Sequence, residues 1–174
     1  MMFEKNYRLL GKHATYAKFL KDDAKIFDTI IGAYINGAIF GLLYNRTAPI
    51  DRDSADDANI MSEQFNTHIE KCRFVYRLVM LLDEKSDLTP QRRIDRAFRD
   101  DAEVAHENYE ERMKENMDVF HSYVRGGIEQ LYEDFVTGCT SSDDYITRMH
   151  EQLDSFAETL SVEDVEEKLA KLLK

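Results

Sequence analysis

The chain has 174 residues, 43% of them apolar and two of them proline, which is enough for one domain with a real core and too short to promise two. Seven glycines and two prolines leave little material for the many tight turns of an all-β fold, so the expectation is an all-α, single-domain helical bundle of five to seven helices. The formal net charge of −11 is uneven: residues 1–46 hold seven Lys and Arg against four acids, and residues 47–174 hold sixteen against thirty, so +3 and −14. A surface this acidic repels phosphates, and direct nucleic-acid binding is not expected.

The chain opens with Met-Met-Phe-Glu-Lys, without the basic segment and apolar run of a secretion signal, which points to the cytoplasm. Phe3, Tyr7, Leu10, Ala14, Ala17 and Leu20 recur at steps of three and four, so residues 1–23 read as an N-terminal amphipathic helix region, with Gly11 a break point. Residues 24–45 read as a central helix that is apolar nearly all round and carries Gly32, Gly37 and Gly41. Such a helix must be covered on every side, and its glycines suggest a second backbone lying close, from a neighbouring helix or across a twofold subunit contact. Asp28, Asn36 and the lack of a basic anchoring cluster argue against a membrane span.

Residues 46–57 read as an acidic loop around Pro49, with Ser54 and Asp57 spaced as a capping pair for the next helix. Residues 58–160 read as long amphipathic helices. In the first, from about 56 to 85, Met61, Phe65, His68, Cys72, Val75, Val79 and Leu82 alternate steps of four and three. Thr89-Pro90 opens a short helix bearing Arg92, Arg93, Arg96 and Arg99, a compact basic patch suited to a phosphate or an acidic partner unless nearby acids pair with it. The same rhythm continues from Ala102 to Phe135, where Gly126-Gly127 predicts a kink, a break or a tight packing contact. Tyr145, Met149, Leu153 and Phe156 mark another helix, and Ser161 with Asp164 caps a C-terminal amphipathic helix within 161–174.

Few residues suggest chemistry. Glu103-Val-Ala-His106 resembles the Glu-x-x-His spacing by which ferritin-like proteins aim a carboxylate and an imidazole at a di-iron centre. That architecture needs a second such motif, and Asp118-Val-Phe-His121 lies fifteen residues along the same segment, roughly 22 Å away at helical rise. Arg8-Leu-Leu-Gly-Lys-His13 resembles, over six residues, the arginine-to-histidine spacing of some helical ribonucleases of the HEPN type, with Gly11 interrupting the helix. His68 within an apolar seam reads as a core histidine satisfied by one hydrogen bond. Cys72 and Cys139 are too few and too far apart for a disulfide framework or a zinc site. No catalytic triad, phosphate loop or dinucleotide motif occurs, so no catalytic residue, cofactor or metal is expected, with Glu103 and His106 the metal candidates if one is held.

The function these features favour is a non-catalytic interaction protein, a subunit or accessory factor packing its helices against a protein partner or a second copy, without membrane contact. Gly32, Gly37, Gly41 and the four arginines are the expected interaction residues. An acidic mimic of nucleic acid, presenting the carboxylates between Asp101 and Asp118, and a helical metalloenzyme using Glu103, His106 and His68 or His121 are the alternatives.

Overall fold

Gly11 decides how the chain begins. Its backbone stands at φ +62°, a conformation open to glycine, and a Cβ there would lie 2.8 Å from that of Asp51. The residues before it therefore leave the helical path and form strand β1, Tyr7–Leu10, paired antiparallel with β2, Asp57–Ile60. Tyr7 faces Ile60 and Leu9 faces Ala58, with Leu9, Ala58 and Ile60 buried.

The computed structural model describes residues 3–100 and 107–159. Among them the chain is predominantly helical, with α1 Lys12–Asp22, α2 Ile30–Leu43, α3 Ser62–Thr67, α4 Ile69–Leu82, α5 Pro90–Phe98, α6 Tyr109–Phe135 and α7 Ser142–Thr159. Within the expected N-terminal helix region, 1–23, helix thus begins only at Lys12. The expected central helix starts at Ile30, where the Thr29 hydroxyl caps it by accepting from Gly32 N–H at 3.2 Å. The expected continuous helix from 56 to 85 is a strand and two helices. The Thr67 hydroxyl donates to the Glu63 carbonyl, a local bond that competes with helix propagation, and α3 stops there. His68 lies at the junction, half-buried, and not in the apolar seam.

The acidic loop caps a helix, but an earlier one. Asp51 accepts from the Lys12 N–H at 2.6 Å and Asp56 accepts from Thr15 and Lys18, placing negative charge at the α1 N-terminus. Ser54 accepts from the Asp56 N–H and caps no helix. Thr89 accepts from Arg92 N–H with Pro90 in the first turn, as its sequence predicts.

The chain divides into two compact units, Met1–Tyr132 and Glu133–Lys174. In the first, α2 is central: Ile31, Ala33, Tyr34, Ile35, Gly37, Ala38 and Gly41 are buried. Phe65, Tyr34, Tyr76 and Phe120 join it in an aromatic core, with ring centroids 5.4 Å apart for Tyr34 and Phe65 and 5.6 Å for Tyr76 and Phe120. The α6 helix runs unbroken through Gly126-Gly127. In the second unit, Gly138 takes φ +86° after the end of α6, and Ser141 with Asp144 caps α7 reciprocally. The Arg148 guanidinium donates to the Asp134 carbonyl at 3.4 Å. The expected C-terminal helix at Ser161 lies outside the described residues.

Candidate functional site

The glycines expected to make an interface make one inside the chain. A Cβ on Gly127 would overlap the Gly37 carbonyl oxygen and lie 2.6 Å from its carbon, and one on Gly41 would lie 2.8 Å from the Tyr123 carbonyl carbon. A Cβ on Gly126 would lie 2.6 Å from the Arg46 carbonyl carbon. Helices α2 and α6 therefore meet backbone to backbone, which is the tight packing contact that two adjacent glycines permit. Leucine at Gly37 or Gly41 would disturb this crossing before it reported on any assembly. Gly32 stands apart: a Cβ there would meet Thr29 and Phe27 only at 3.4 Å and beyond.

The arginines have partners within the chain, but only Arg96 is buried, and Arg99 remains exposed. Arg96 is 3% exposed and donates to Asp83 at 3.2 Å and to Asn116 at 3.1 Å. Arg92 reaches Asp100 at 3.0 Å, Arg99 reaches Asp95 at 3.0 Å, and Arg93 donates to the Leu88 carbonyl. Tyr123 and Ser86 donate to Asp83, while Asn116 and Arg112 donate to Asp100. Burial alone would raise both aspartates, but the donors from Ser86, Tyr123 and Arg96 hold Asp83 below its ordinary value, and Arg92 and Asn116 do the same for Asp100. The cluster ties α4, α5 and α6 together. It occupies Arg92 and Arg96, two of the four arginines that the sequence offers to a ligand.

A second buried cluster surrounds Glu129. His13 Nε2 lies 2.9 Å from one carboxylate oxygen, shared with Lys12, and Arg46 donates to the other at 2.9 Å. Burial opposes ionisation of Glu129, yet its donors Lys12, Arg46 and His13 hold it below its ordinary value. Burial pushes His13 down, so the imidazole is neutral and its Nε2–H donates to the carboxylate. Arg8 pairs with Asp57 across the strand ladder. The arginine and histidine of the HEPN-like spacing thus face different partners.

Two features remain open. The first is a cavity of about 710 Å³ in the first unit, walled by Tyr7, Tyr34, Phe65, Tyr109, Met113 and His121, with Lys5, Lys114, Glu110 and Glu111 also lining it. The Tyr7 and His121 rings stack at 3.9 Å, and His121 Nε2 lies 3.0 Å from the Tyr34 hydroxyl. Burial, with a smaller contribution from the Arg125 guanidinium, lowers His121 to about 3. Sequence reasoning weighed His121 only as a metal ligand. The lining comes from the N-terminal segment, α2, α3 and α6, so no local pattern announced it.

The second is the outer face of α4 and α5. Phe74 is 63% exposed and Phe98 49%, and Ile94 and Leu82 are exposed as well. Phe74, Leu78 and Leu81 line a shallow groove of about 290 Å³ with Phe98, and the Arg77 guanidinium sits 5.5 Å from the Phe98 ring centroid. A signal for this face was present: Phe74, Leu78 and Leu81 follow steps of four and three, a second apolar stripe beside the buried one of Cys72, Val75 and Val79.

Glu103 and His106 lie outside the described residues, and among the described residues no group of three or more His, Cys, Asp and Glu could hold a metal ion. Among the described residues, no helix is long and apolar enough to cross a membrane. No protein-family model, curated protein or solved structure matches the chain.

Proposed function

We propose that the chain is a non-catalytic helical interaction protein, a subunit or accessory factor that receives an apolar helix of a protein partner on its α4–α5 face. The observation that carries this reading is the pair of exposed aromatic rings, Phe74 and Phe98, flanking one groove. Large exposed aromatic side chains set together leave apolar surface in water that a partner would remove, and aromatic anchors with arginine concentrate binding energy in protein interfaces. Arg73 and Arg77 line the groove beside a single acid, Glu70, which favours an occupant carrying carboxylates next to its apolar anchors.

The test compares the tagged chain with a Phe74→Ser/Phe98→Ser double variant in the native cell. A protein recovered stoichiometrically with the first and lost with the second, at an unchanged thermal midpoint, is the expected outcome. Identical recovery from both, or no partner with either, would overturn the reading. Light scattering on the same pair of proteins shows whether the occupant is a second copy.

A further inference from the structure

The 710 Å³ cavity lies away from the α4–α5 groove and shares none of its lining residues. Its volume falls within the range of small-molecule sites, which bury most of a ligand of drug-like size. The walls are dominated by rings from separate elements: Phe3 and Tyr7 from the N-terminal segment, Tyr34 from α2, Phe65 from α3, and Tyr109 and His121 from α6. We propose that this cavity is a binding site for a flat, uncharged aromatic molecule carrying a hydrogen-bonding group.

Four observations select that class. The Tyr7 and His121 rings, stacked on each other at 3.9 Å, line the cavity together with the Tyr34, Phe65 and Tyr109 rings, so a planar ligand would meet aromatic walls from several directions. Met113 and Met117 supply flexible, polarisable thioethers that pack well against rings. The charged lining residues, Lys5 and Lys114 with Glu110 and Glu111, cancel in sign, so the site has no net charge to match to an ion. Within these walls the Tyr34 hydroxyl and the His121 imidazole form the polar pair, and the imidazole is neutral across the physiological range, able to accept or donate one hydrogen bond without burying a charge. An acyl chain would use the volume but not the rings.

The experiment titrates the full chain with 2-naphthol, naphthalene and decanoate by calorimetry, and follows the methionine methyl resonances during the 2-naphthol titration. One saturable site for 2-naphthol per chain, with Kd below about 1 mM, and shifts at Met113 and Met117 are expected. Met113→Trp, which fills the cavity, should weaken 2-naphthol at least about tenfold. Met117→Trp serves the same purpose should the first variant fail to fold. His121→Phe keeps a ring at the stack and should weaken 2-naphthol severalfold while leaving naphthalene unchanged. No saturable binding of 2-naphthol, shifts confined to other methionines, or equal affinity in the filled variant would overturn the proposal, and tighter binding of decanoate would overturn its aromatic assignment.

Discussion

The α2–α6 crossing and the α4–α5 face both bring helix positions without charge together, glycines at the one and aromatic and aliphatic side chains at the other, and they meet opposite fates. At the crossing, Gly37 and Gly41 lie against the backbone at Tyr123, Val124 and Gly127, and nothing larger than hydrogen fits. On the outer face, Phe74 and Phe98 keep their rings in water. Removing side chains lets two backbones close on each other permanently, whereas exposing rings leaves a surface to be covered by something else. The glycines therefore serve the fold, one of the two uses their sequence context offers, and the proposed partner contact falls to the phenylalanines.

The strongest way to break that contrast is Gly127→Ala. Its added methyl would overlap the Gly37 carbonyl oxygen, a fixed backbone atom, so α2 and α6 would have to separate. We expect a loss of at least about 3 kcal/mol in urea unfolding, or no folded protein. A change within about 0.5 kcal/mol would mean that the helices cross farther apart than described and that the glycine seam is not what unites them.

Next in size is the arginine cluster. Arg96→Met removes the guanidinium that faces Asp83 and leaves a buried carboxylate short of its cationic partner, at an expected cost of about 3 kcal/mol. Arg99→Met, in an exposed pair with Asp95 one turn away, should cost under about 0.5 kcal/mol. Equal effects in the two variants would show that the same short helix does not divide its arginines between structure and surface.

How far the sequence anticipated these arrangements follows from the range of the interactions involved. Local periodicity found the buried central helix, the Thr89-Pro90 start of α5 and the seam of α4, because each depends on residues within a turn or two. It read Phe3 to Leu10 as helix because the competing partner of β1, at Asp57–Ile60, lies some fifty residues away. The glycine clusters were visible at both 37–41 and 126–127, but that they meet one another is a tertiary fact. The cavity was invisible for the same reason, since Tyr34 and Phe65 look like ordinary core positions in their own helices and His121 suggests at most a metal ligand. The acidic loop was read as capping the helix after it, whereas Asp51 and Asp56 reach back to α1.

A third test uses pH to distinguish the cavity's histidine from the cores on either side. His121 is lowered to about 3 by burial, whereas in the unfolded chain it titrates near ~6.5. Between those values the unfolded state holds a proton that the folded state does not, so stability declines as pH falls through this window, by up to about 1.4 kcal/mol per pH unit. Tyr7, Tyr34 and Phe120 face the ring and Arg125 is the nearby cation, so among the described residues no carboxylate acts on it to reverse the sign. Urea unfolding at pH 7 and pH 5 should show a smaller decline for His121→Phe than for the unaltered chain. Parallel declines would mean that the imidazole is solvated alike in both states, and would remove the burial that keeps it neutral at the cavity.

The smallest effect is the sharpest on the meaning of glycine. Gly32 belongs to the same helix as Gly37 and Gly41, yet an added Cβ there meets only Thr29 Oγ1 at 3.4 Å and Phe27 Cβ at 3.5 Å, ordinary contact distances. Alanine restricts the unfolded chain and favours helix, so Gly32→Ala should leave stability unchanged or raise it by about 0.5 kcal/mol. The Thr29 hydroxyl must still accept from the residue 32 N–H for that gain to appear, and alanine leaves this donor in place. Paired with Gly127→Ala, the substitution isolates the cause. If both destabilise alike, helical glycine is needed here for backbone freedom; if only Gly127→Ala does, what the chain requires is the close approach of α2 to α6.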